Sequence, residues 1–233
     1  MRLAIIPARG GSKRIPRKNI KLFDGLPMIA WSIQAARESK CFDQIVVSTD
    51  DPEIAEVARG YGAMVPFTRP LDLSDDYTGT IPVIAHAIRW YQNLGKEISE
   101  VCCIYATAPF VCPEDIKSGL AVLQSSDLDY VFSATSFPFP IQRAFRLAND
   151  QSVEMFNPEL FDTRSQDLEE AWHDAGQFYW GKSESWLLGT KVFSRRSKAI
   201  LLPRHKVQDI DTQEDWDRAE VMRSVLKRRE SDT

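Results

Sequence analysis

The stretch LAIIPARGGSKRIPRKN, residues 3–19, decides the fold that the rest of the chain follows. Its first part, LAIIP (3–7), is short, apolar and rich in β-branched residues, and it ends at a proline. Such a run predicts a strand buried on both faces, as in parallel sheets. A loop rich in glycine and lysine follows directly. Because ligands of open α/β sheets bind beyond the carboxyl ends of the strands, the sequence predicts a ligand site at this loop.

Strands and helices alternate from this strand to about residue 135. The segment that begins at Met28 carries apolar residues at helical spacing, and QIVVST (44–49) predicts the next buried strand. Asp51 is placed to cap a helix whose first position is Pro52. The further predicted elements are the strand MVPF, a helix over Thr80 to Asn93, the strand VCCIYA, a helix opened by Pro113 and the strand YVFSAT from Tyr130. This alternation predicts an α/β fold with a doubly wound, mostly parallel sheet.

The alternation stops after Ser136, where prolines are followed by a pattern of two antiparallel strands joined at Asn149-Asp150. We interpret residues 136–169 as a small β-hairpin arm inserted into a single domain, 1–233. The apolar residues of this arm are too many for a hairpin alone in water, so we expect it to form a dimer interface. They are Phe137, Phe139, Phe145, Phe156 and Phe161. The later elements are the strand GQFYWG, a short helix near Glu184 to Leu188, the strand AILLP and a final helix from Thr212 to about Lys227.

Composition narrows the class of protein. No apolar run is long enough to span a bilayer and the N-terminus lacks signal-peptide order, so we expect a soluble, cytoplasmic protein without a membrane partner. The net charge of −4 gives no reason to expect nucleic acid. The four cysteines form no C-x-x-C pair and are interpreted as small buried hydrophobes. However, Met1 to Phe23 contains seven cations and no acidic residue, which predicts a small polyanionic ligand.

The glycine loop has the chemistry that a triphosphate needs. Gly10 and Gly11 allow the backbone to approach an anion closely, and Ser12 adds a hydroxyl donor. Positive charge comes from Arg9, Lys13 and Lys18. The spacing matches neither the Walker A loop nor G-x-G-x-x-G. The alternative is an ordinary glycine turn with solvated lysines.

A second candidate is the segment QDIDT, residues 208–212. If Asp209 and Asp211 lie at a strand end, the period of two places both carboxylates on one face, where they could share a hard divalent cation. The alternative is that Asp211 or Thr212 caps the last helix, with Thr212 and Asp215 approximating a capping box.

The stretch P-A-R-G-G-S-K-R-I-P-R-K-N resembles the signature loop of the CMP-sialic-acid synthetase family of sugar nucleotidyltransferases. The resemblance implies a Rossmann-like nucleotidyltransferase fold, CTP as substrate, and Mg²⁺ held by Asp209 and Asp211. It also implies that Arg69, in TRPLDLSDDYTGT (68–80), reads the base. The residues implied to bind the nucleotide in the loop are Ala8, Arg9, Gly10, Gly11, Ser12, Lys13, Lys18 and Asn19. Arg9, Lys13, Lys18 and Asp211 are expected to act in catalysis.

Two further segments concern the second substrate. In YATAPF (105–110), Thr107 and Pro109 match the family's Q-P-T-S-P, whereas Tyr105 and Ala106 depart from it. The segment TRSQDLEEAWHDAGQFYWGK (163–182) resembles the pseudaminic acid branch of the family. The residues expected to contact the sugar are Thr107, Arg143, Arg164, Gln166, Asp167, His173, Asp174, Gln177 and Tyr179. Arg164 could clamp a carboxylate, and the polar side chains could bind hydroxyl and N-acyl groups. The alternative is a solvated helix face with a satisfied, buried histidine.

The resemblance therefore implies a cytidylyltransferase that converts CTP and pseudaminic acid to CMP-pseudaminic acid and pyrophosphate. Its family implies a homodimer whose arm, with Arg143 or Arg164, reaches the neighbouring site. The same reaction with N-acetylneuraminic or legionaminic acid stays an alternative, as does a catalytically silent nucleotide-sugar binding protein. The general base is left open between His173, Asp211 and a metal-bound water.

Overall fold

The computed structural model describes residues 1–231. The strands in chain order are β1 (Leu3–Pro7), β2 (Leu22–Phe23), β3 (Leu26–Pro27), β4 (Gln44–Ser48), β5 (Glu100–Ile104), β6 (Tyr130–Ser136), β7 (Phe145–Leu147), β8 (Val153–Met155), β9 (Trp172–Lys182) and β10 (Ser197–Leu201). The α-helices are α1 (Met28–Ser39), α2 (Pro52–Gly60), α3 (Thr80–Asn93), α4 (Pro113–Gln124), α5 (Ser183–Leu188) and α6 (Gln213–Ser231).

The central sheet has six strands in the order β10-β6-β9-β5-β1-β4. β1 pairs in parallel with β4 and β5, and β10 pairs in parallel with β6. β9 lies between β5 and β6 and is antiparallel to both. The prediction of a doubly wound, mostly parallel sheet is confirmed, with one antiparallel strand near its centre.

Most predicted elements are present, and one is wrong. Asp51 caps α2 by accepting hydrogen bonds from the N–H groups of Glu53 and Ile54, with Pro52 at the start of the helix. The segment MVPF forms a single bridge between Val46 and Met64 instead of a strand. The proline at position 66 has no N–H to extend a ladder, which limits pairing to that bridge.

The core lies on both faces of the sheet, which explains why β1 is apolar throughout. Ala4 and Ile6 pack on the face covered by α1, α2 and α4, whereas Leu3 and Ile5 pack on the opposite face with residues of α3 and α5. All four side chains are fully buried. Alternation along a strand thus serves two cores at once.

A third apolar cluster joins the N-terminal loop to the last helix. Three members of this cluster are each at most 1% exposed: Ile15 of the glycine loop, Ile210 of the QDIDT segment and Trp216 of α6. Phe23 contributes a ring in edge contact with that of Trp216, with 5.7 Å between centroids. The cluster therefore fixes the glycine loop against the QDIDT segment, although the two are far apart in sequence.

The inserted arm contains the predicted hairpin. β7 and β8 pair antiparallel, with Phe145 opposite Met155. The phenylalanines predicted to be exposed are so, from 39% for Phe137 to 79% for Phe139.

Among the described residues, no helix combines the length and the apolar character needed to cross a membrane. Cys41, Cys102 and Cys103 are buried, as predicted for small core residues, and burial raises the pKa of the Cys102 and Cys103 thiols. The prediction is wrong for Cys112, which is only half-buried and donates its thiol proton to Glu114.

Candidate active site

A cavity of about 500 Å³ lies beyond the carboxyl ends of β1 and β5. We call it the first cavity. It is lined by Pro7, Arg9, Ser12, Lys13, Arg14, Lys18, Asn19, Arg69, Asp76, Thr78, Gly79, Thr80, Val83, Tyr105, Ala106, Thr107 and Asp211. Its position is the one that the fold favours for a ligand, and cations of the glycine loop converge on it.

The cations of the glycine loop that line the first cavity are paired with two aspartates. Asp76 lies 2.5 Å from both Arg9 and Lys13. Asp211 Oδ1 lies 3.0 Å from Arg14 and 3.3 Å from Lys18 Nζ, and Lys18 also donates to the carbonyl of the intervening Ile210. The N-terminal loop and the QDIDT segment therefore meet at one cavity.

The backbone of the glycine loop is arranged differently from the expectation. We predicted N–H groups turned toward an anion, but the Gly10 N–H donates to Asp50 at 3.0 Å and the Ser12 N–H donates to the Gly10 carbonyl. The Ser12 hydroxyl donates to the Ile15 carbonyl at 2.7 Å. The loop therefore presents charge to the first cavity mainly through its long cationic side chains.

The other predicted residues of the loop have mixed positions. Asn19 lines the first cavity and is held by a hydrogen bond from its amide to the Arg9 carbonyl. Ala8, Gly10 and Gly11 lie outside the lining. Ala8 is buried and donates its N–H to Ser48.

Asp209 and Asp211 do not lie at a strand end, so that part of the prediction is wrong. Ile210, which lies between the two aspartates in sequence, is fully buried in the third apolar cluster. Its burial leaves the side chains on either side of it accessible. The last helix is capped by Thr212 and Asp215, not by Asp211. Thr212 and Asp215 form the reciprocal capping bonds, with 2.8 Å from the Thr212 N–H to Asp215 Oδ2 and 3.3 Å from the Asp215 N–H to Thr212 Oγ1. The carboxylate of Asp211 is therefore available to the cavity.

The charges of the carboxylates of Asp209 and Asp211 interact. Asp209 is exposed as a residue, but neighbouring atoms partly desolvate its carboxylate and so raise its pKa. The charges of Asp211 and then Asp174 raise it further, while Lys18 opposes them. Among residues 1–231 no group of three ligating side chains forms a metal site. Asp211 lines the first cavity and Asp209 lies outside its lining. Asp211 is therefore the carboxylate placed to hold Mg²⁺ against a ligand in the cavity, since this ion is commonly bound by one or two carboxylates together with substrate phosphates.

Arg69, the predicted reader of the base, lines the first cavity and is only 4% exposed. Its guanidinium donates to the Ser48 carbonyl at 2.5 Å and to the Leu73 carbonyl at 3.4 Å. Burial lowers the pKa of Arg69 to about 10, and the charge of Asp50 opposes that shift. The side chain is therefore rigidly held and still cationic at neutral pH.

A second cavity of about 440 Å³, mainly apolar, adjoins the first and shares Gly79, Thr80 and Tyr105 with it. It contains two of the residues predicted to bind the sugar, Asp174 and Tyr179. The Tyr179 hydroxyl donates to the Asp174 carboxylate.

The other predicted sugar residues divide into three groups. Thr107 lines the first cavity. His173 and Gln177 lie outside both linings; the ring of His173 packs on Phe137, and the buried amide of Gln177 donates to the Lys206 carbonyl at 2.6 Å. The third group is exposed on the arm and lies outside both cavities of a single chain: Arg143, Arg164, Gln166 and Asp167.

Sequence reasoning did not assign three residues that the structure places in the first cavity: Arg14, Asp76 and Tyr105. Arg14 could have been found, since it belongs to the acid-free cationic run. Asp76 lies in the segment singled out for Arg69, and Tyr105 was noted only as a departure from the family's Q-P-T-S-P, so neither was given a role.

The chain is similar in sequence to known enzymes. The chain is 47% identical over 223 residues to the pseudaminic acid cytidylyltransferase of Campylobacter jejuni subsp. jejuni serotype O:23/36 (strain 81-176), with 96% of each chain covered. It is 34% identical over 221 residues to the CMP-N,N'-diacetyllegionaminic acid synthase of Legionella pneumophila, with 92% of each covered.

A solved structure, CMP:2-keto-3-deoxy-manno-octonic acid synthetase complexed with CTP, shares the fold with a TM-score of 0.69. It covers 97% of this chain and 99% of that one at 15% identity, which concerns the fold alone. The cytidylyltransferase family model matches residues 3–220. The resemblance seen in the sequence is thereby confirmed, and the chain belongs to the cytidylyltransferase family of nucleotidyltransferases.

Proposed function

We propose that this chain transfers CMP from CTP to pseudaminic acid and releases pyrophosphate. The observation that carries the proposal is the meeting of Lys18 and Arg14 with Asp211 at the first cavity. Cations that bind phosphate and a carboxylate that can hold a metal lie within hydrogen-bond distance there. The 47% identity to a pseudaminic acid cytidylyltransferase supports the choice of acid.

In this reaction the sugar's anomeric hydroxyl attacks the α-phosphorus in line with the departing pyrophosphate. Arg9, Lys13, Arg14 and Lys18 hold the triphosphate and stabilise the charge that develops on the leaving group. Positioning and charge neutralisation therefore supply most of the catalysis. Arg69 is held by backbone carbonyls at the wall of the same cavity, which suits a rigid contact to the cytosine.

Mg²⁺ is the cofactor that we propose for this site, held by Asp209 and Asp211. When bound, it would polarise the α-phosphate and lower the pKa of a coordinated hydroxyl. Asp209 has a carboxylate whose pKa is raised by partial desolvation and by Asp211, so a divalent cation would relieve the repulsion within the pair.

We further propose that the arm, residues 136–169, forms a two-fold dimer and brings Arg143, Arg164, Gln166 and Asp167 toward the partner's acceptor site. Phe139, Phe145 and Phe161 are 79%, 54% and 64% exposed, which is too much apolar surface for a two-stranded hairpin alone in water. A two-fold interface would bury the same patch on both subunits. Because the reaction consumes CTP, we expect the enzyme in the cytoplasm.

The experiment that tests the proposed function measures pyrophosphate release with a panel of nucleotides and acids. CTP with pseudaminic acid should give the highest rate, and mass spectrometry should identify CMP-pseudaminic acid. A higher rate with legionaminic or N-acetylneuraminic acid would identify a different acceptor. Binding of CTP without pyrophosphate release from any pair would indicate a nucleotide-sugar binding protein instead.

A further inference from the structure

Two consecutive aspartates just after β4 contact the glycine loop near both of its ends. Asp50 accepts a hydrogen bond from the Gly10 N–H at 3.0 Å, and Asp51 binds the guanidinium of Arg17. Since β4 pairs in parallel with β1, the carboxyl ends of the two strands meet at one edge of the sheet. The loop that leaves β1 is therefore held at two points by the segment that leaves β4.

The contact between Arg17 and Asp51 is bidentate. Arg17 Nη1 lies 2.5 Å from Asp51 Oδ2, and Arg17 Nη2 lies 3.1 Å from Asp51 Oδ1. Arg17 Nη2 also donates to Glu53. The acceptor is itself held in place, because Asp51 Oδ1 accepts from the N–H groups of Glu53 and Ile54 at the start of α2. Paired bonds of this kind fix the orientation of a guanidinium as well as its position.

The backbone of Arg17 has a left-handed conformation, with φ +56°. A residue other than glycine seldom adopts this conformation unless its surroundings impose it. The Arg17 carbonyl accepts from the N–H groups of Ile20 and Lys21 at 3.0 and 2.9 Å, which closes a turn directly after it. The ion pair with Asp51 therefore stabilises an unusual backbone conformation at the point where the loop turns.

Lys18 directly follows this left-handed residue and has different partners. Its Nζ donates to the carbonyl of Ile210 and lies 3.3 Å from Asp211 Oδ1 at the first cavity. Only 17% of its side chain is exposed. Because Arg17 and Lys18 are adjacent, the backbone conformation of Arg17 decides where the Lys18 side chain begins.

Arg17 is not placed to bind the triphosphate itself. It lies outside the lining of the first cavity, whereas Lys13, Arg14 and Lys18 belong to that lining. Both terminal nitrogens of its guanidinium donate to the carboxylate of Asp51. Arg17 is one of the seven cations of the N-terminal run, yet the proposed phosphate contacts do not use it.

We propose that Arg17 is a positioning residue: its ion pair with Asp51 fixes the backbone that carries Lys18 and so holds the Lys18 ammonium at the first cavity before CTP binds. The inference rests on the proposed function, in which Lys18 stabilises the charge on the departing pyrophosphate. A cation that is already in place stabilises developing charge without reorganisation during the reaction. Loss of the ion pair should therefore slow the chemical step more than it weakens nucleotide binding.

The test compares Arg17→Met and Arg17→Lys with the wild type, at a temperature where melting curves show that every variant is folded. Methionine is also long and unbranched but forms no ion pair, so Arg17→Met should lower kcat at saturating substrates about tenfold. Its dissociation constant for CTP, measured by calorimetry, should change less than about threefold. Arg17→Lys keeps a charge near Asp51 without the bidentate geometry, so its kcat should lie between the two.

A double-mutant cycle shows whether Arg17 acts through Lys18. In the Lys18→Met background, Arg17→Met should lower kcat by less than about twofold, because the group that it positions is gone. Losses that add would overturn the inference, since Arg17 would then act independently of Lys18.

The matched control is Arg196→Met. Arg196 also pairs with two carboxylates, those of Asp127 and Asp129, but it lies outside both cavities, so this variant should keep the wild-type kcat. A wild-type kcat for Arg17→Met, even with a lower melting temperature or weaker CTP binding, would overturn the inference and leave the proposed function intact. A wild-type enzyme inactive with every acid would instead overturn the proposed function, and the inference with it.

Discussion

Asp76 forms an ion pair with Arg9 across the first cavity, with 2.5 Å between Asp76 Oδ1 and Arg9 Nη1. Its second oxygen lies 2.5 Å from Lys13, and hydrogen bonds from Lys13 and then Arg9 lower the pKa of Asp76. One carboxylate thus engages two cations that we propose bind the triphosphate. A triphosphate that binds there competes with a side chain of the protein itself.

Asp76→Asn should therefore tighten CTP binding. Removing the competing charge is expected to lower the CTP dissociation constant about threefold to tenfold at low salt, and less at high salt because these groups are exposed. Calorimetric titration at two salt concentrations measures both effects. Asp217→Asn on α6, where the carboxylate is bonded to Gln213, is the control and should leave CTP binding unchanged. Weaker CTP binding by Asp76→Asn would mean that Asp76 supports the nucleotide instead of competing with it.

Asp211→Asn should abolish most turnover if Asp209 and Asp211 hold Mg²⁺. We expect a loss of about a hundredfold or more in kcat, since the charge that opposes the developing phosphate charge is no longer held. Mg²⁺ should also raise the melting temperature of the wild type in the presence of CTP, and Asp209→Asn should lose that shift. Wild-type turnover that persists in excess EDTA would contradict the metal site.

The two glycines of the loop should respond differently to substitution. A Cβ on Gly10 would lie 2.6 Å from Asp51 Oδ2 and 2.9 Å from Asp51 Cβ, whereas a Cβ on Gly11 would meet nothing within 4 Å. Gly10→Ala should therefore lower the free energy of unfolding by about 1–3 kcal/mol. Gly11→Val should melt like the wild type. Because Gly11 lies outside the lining of the first cavity, the variant should bind CTP more weakly only if the triphosphate extends beyond that lining to the loop backbone. Thermal melts measure the first effect and calorimetry the second. Equal CTP affinity for Gly11→Val and wild type would support the alternative that Gly11 belongs to an ordinary glycine turn.

Asp51 should make a pH-dependent contribution to stability. It caps α2 and pairs with Arg17 at 2.5 Å; the hydrogen bond from Arg17 is the main cause that lowers its pKa, and burial opposes it. Because the folded pKa lies below the ordinary value of 3.8, the stabilisation is full above 3.8 and is lost as the pH falls through the lowered pKa. Asp51→Ala should cost about 2 kcal/mol at pH 6.

The difference between Asp51→Ala and wild type should shrink below pH 3.8 in urea denaturation, where the wild-type carboxylate becomes protonated. Asp51→Ser is the matched control: it keeps a capping oxygen but loses the ion pair, so it should retain the capping contribution and lose the pH dependence below pH 3.8. A difference that stays constant down to pH 3 would exclude the ionised carboxylate as its source.

The sequence predicted those parts of the fold whose signals are local. Asp51-Pro52 and Pro113 marked the helix starts that the structure shows, and the apolar run of β1 predicted a strand buried on both faces. The place of β9 between β5 and β6 could not be predicted, because no local pattern indicates which strands pair or in which direction. Its direction decides that Tyr179 faces Tyr105 at the centre of the sheet.

For the candidate site, too, the sequence predicted the local motifs but not the contacts between them. The glycine loop and the QDIDT segment were found as separate motifs, while their contact depends on the burial of Ile15 and Ile210 in a common cluster. Asp76 is far from Arg9 in sequence and lies in a loop without periodicity, so only the folded chain shows that the two pair. Sequence gives the chemical groups of a site; long-range packing decides which of them meet.

Phe145→Asp should produce monomers if the arm is the dimer interface. The wild type is expected to be a dimer by light scattering at micromolar concentration, because a two-fold contact would cover the exposed phenylalanines of the arm. A carboxylate at position 145, which is 54% exposed, cannot be buried against its symmetry-related apolar partner without a large desolvation cost. The variant should therefore lose the interface while keeping the melting behaviour of the domain.

Loss of the arm contact should separate the two substrates. The residues that line the first cavity lie outside the arm, so Phe145→Asp should bind CTP nearly as well as the wild type. Its KM for the acid should rise, because Arg143 and Arg164 would no longer reach a partner's acceptor site. Val221→Asp on α6, where the side chain is 64% exposed outside the arm, is the control and should stay dimeric and active. A wild type that is monomeric and fully active would show that each chain builds its acceptor site alone.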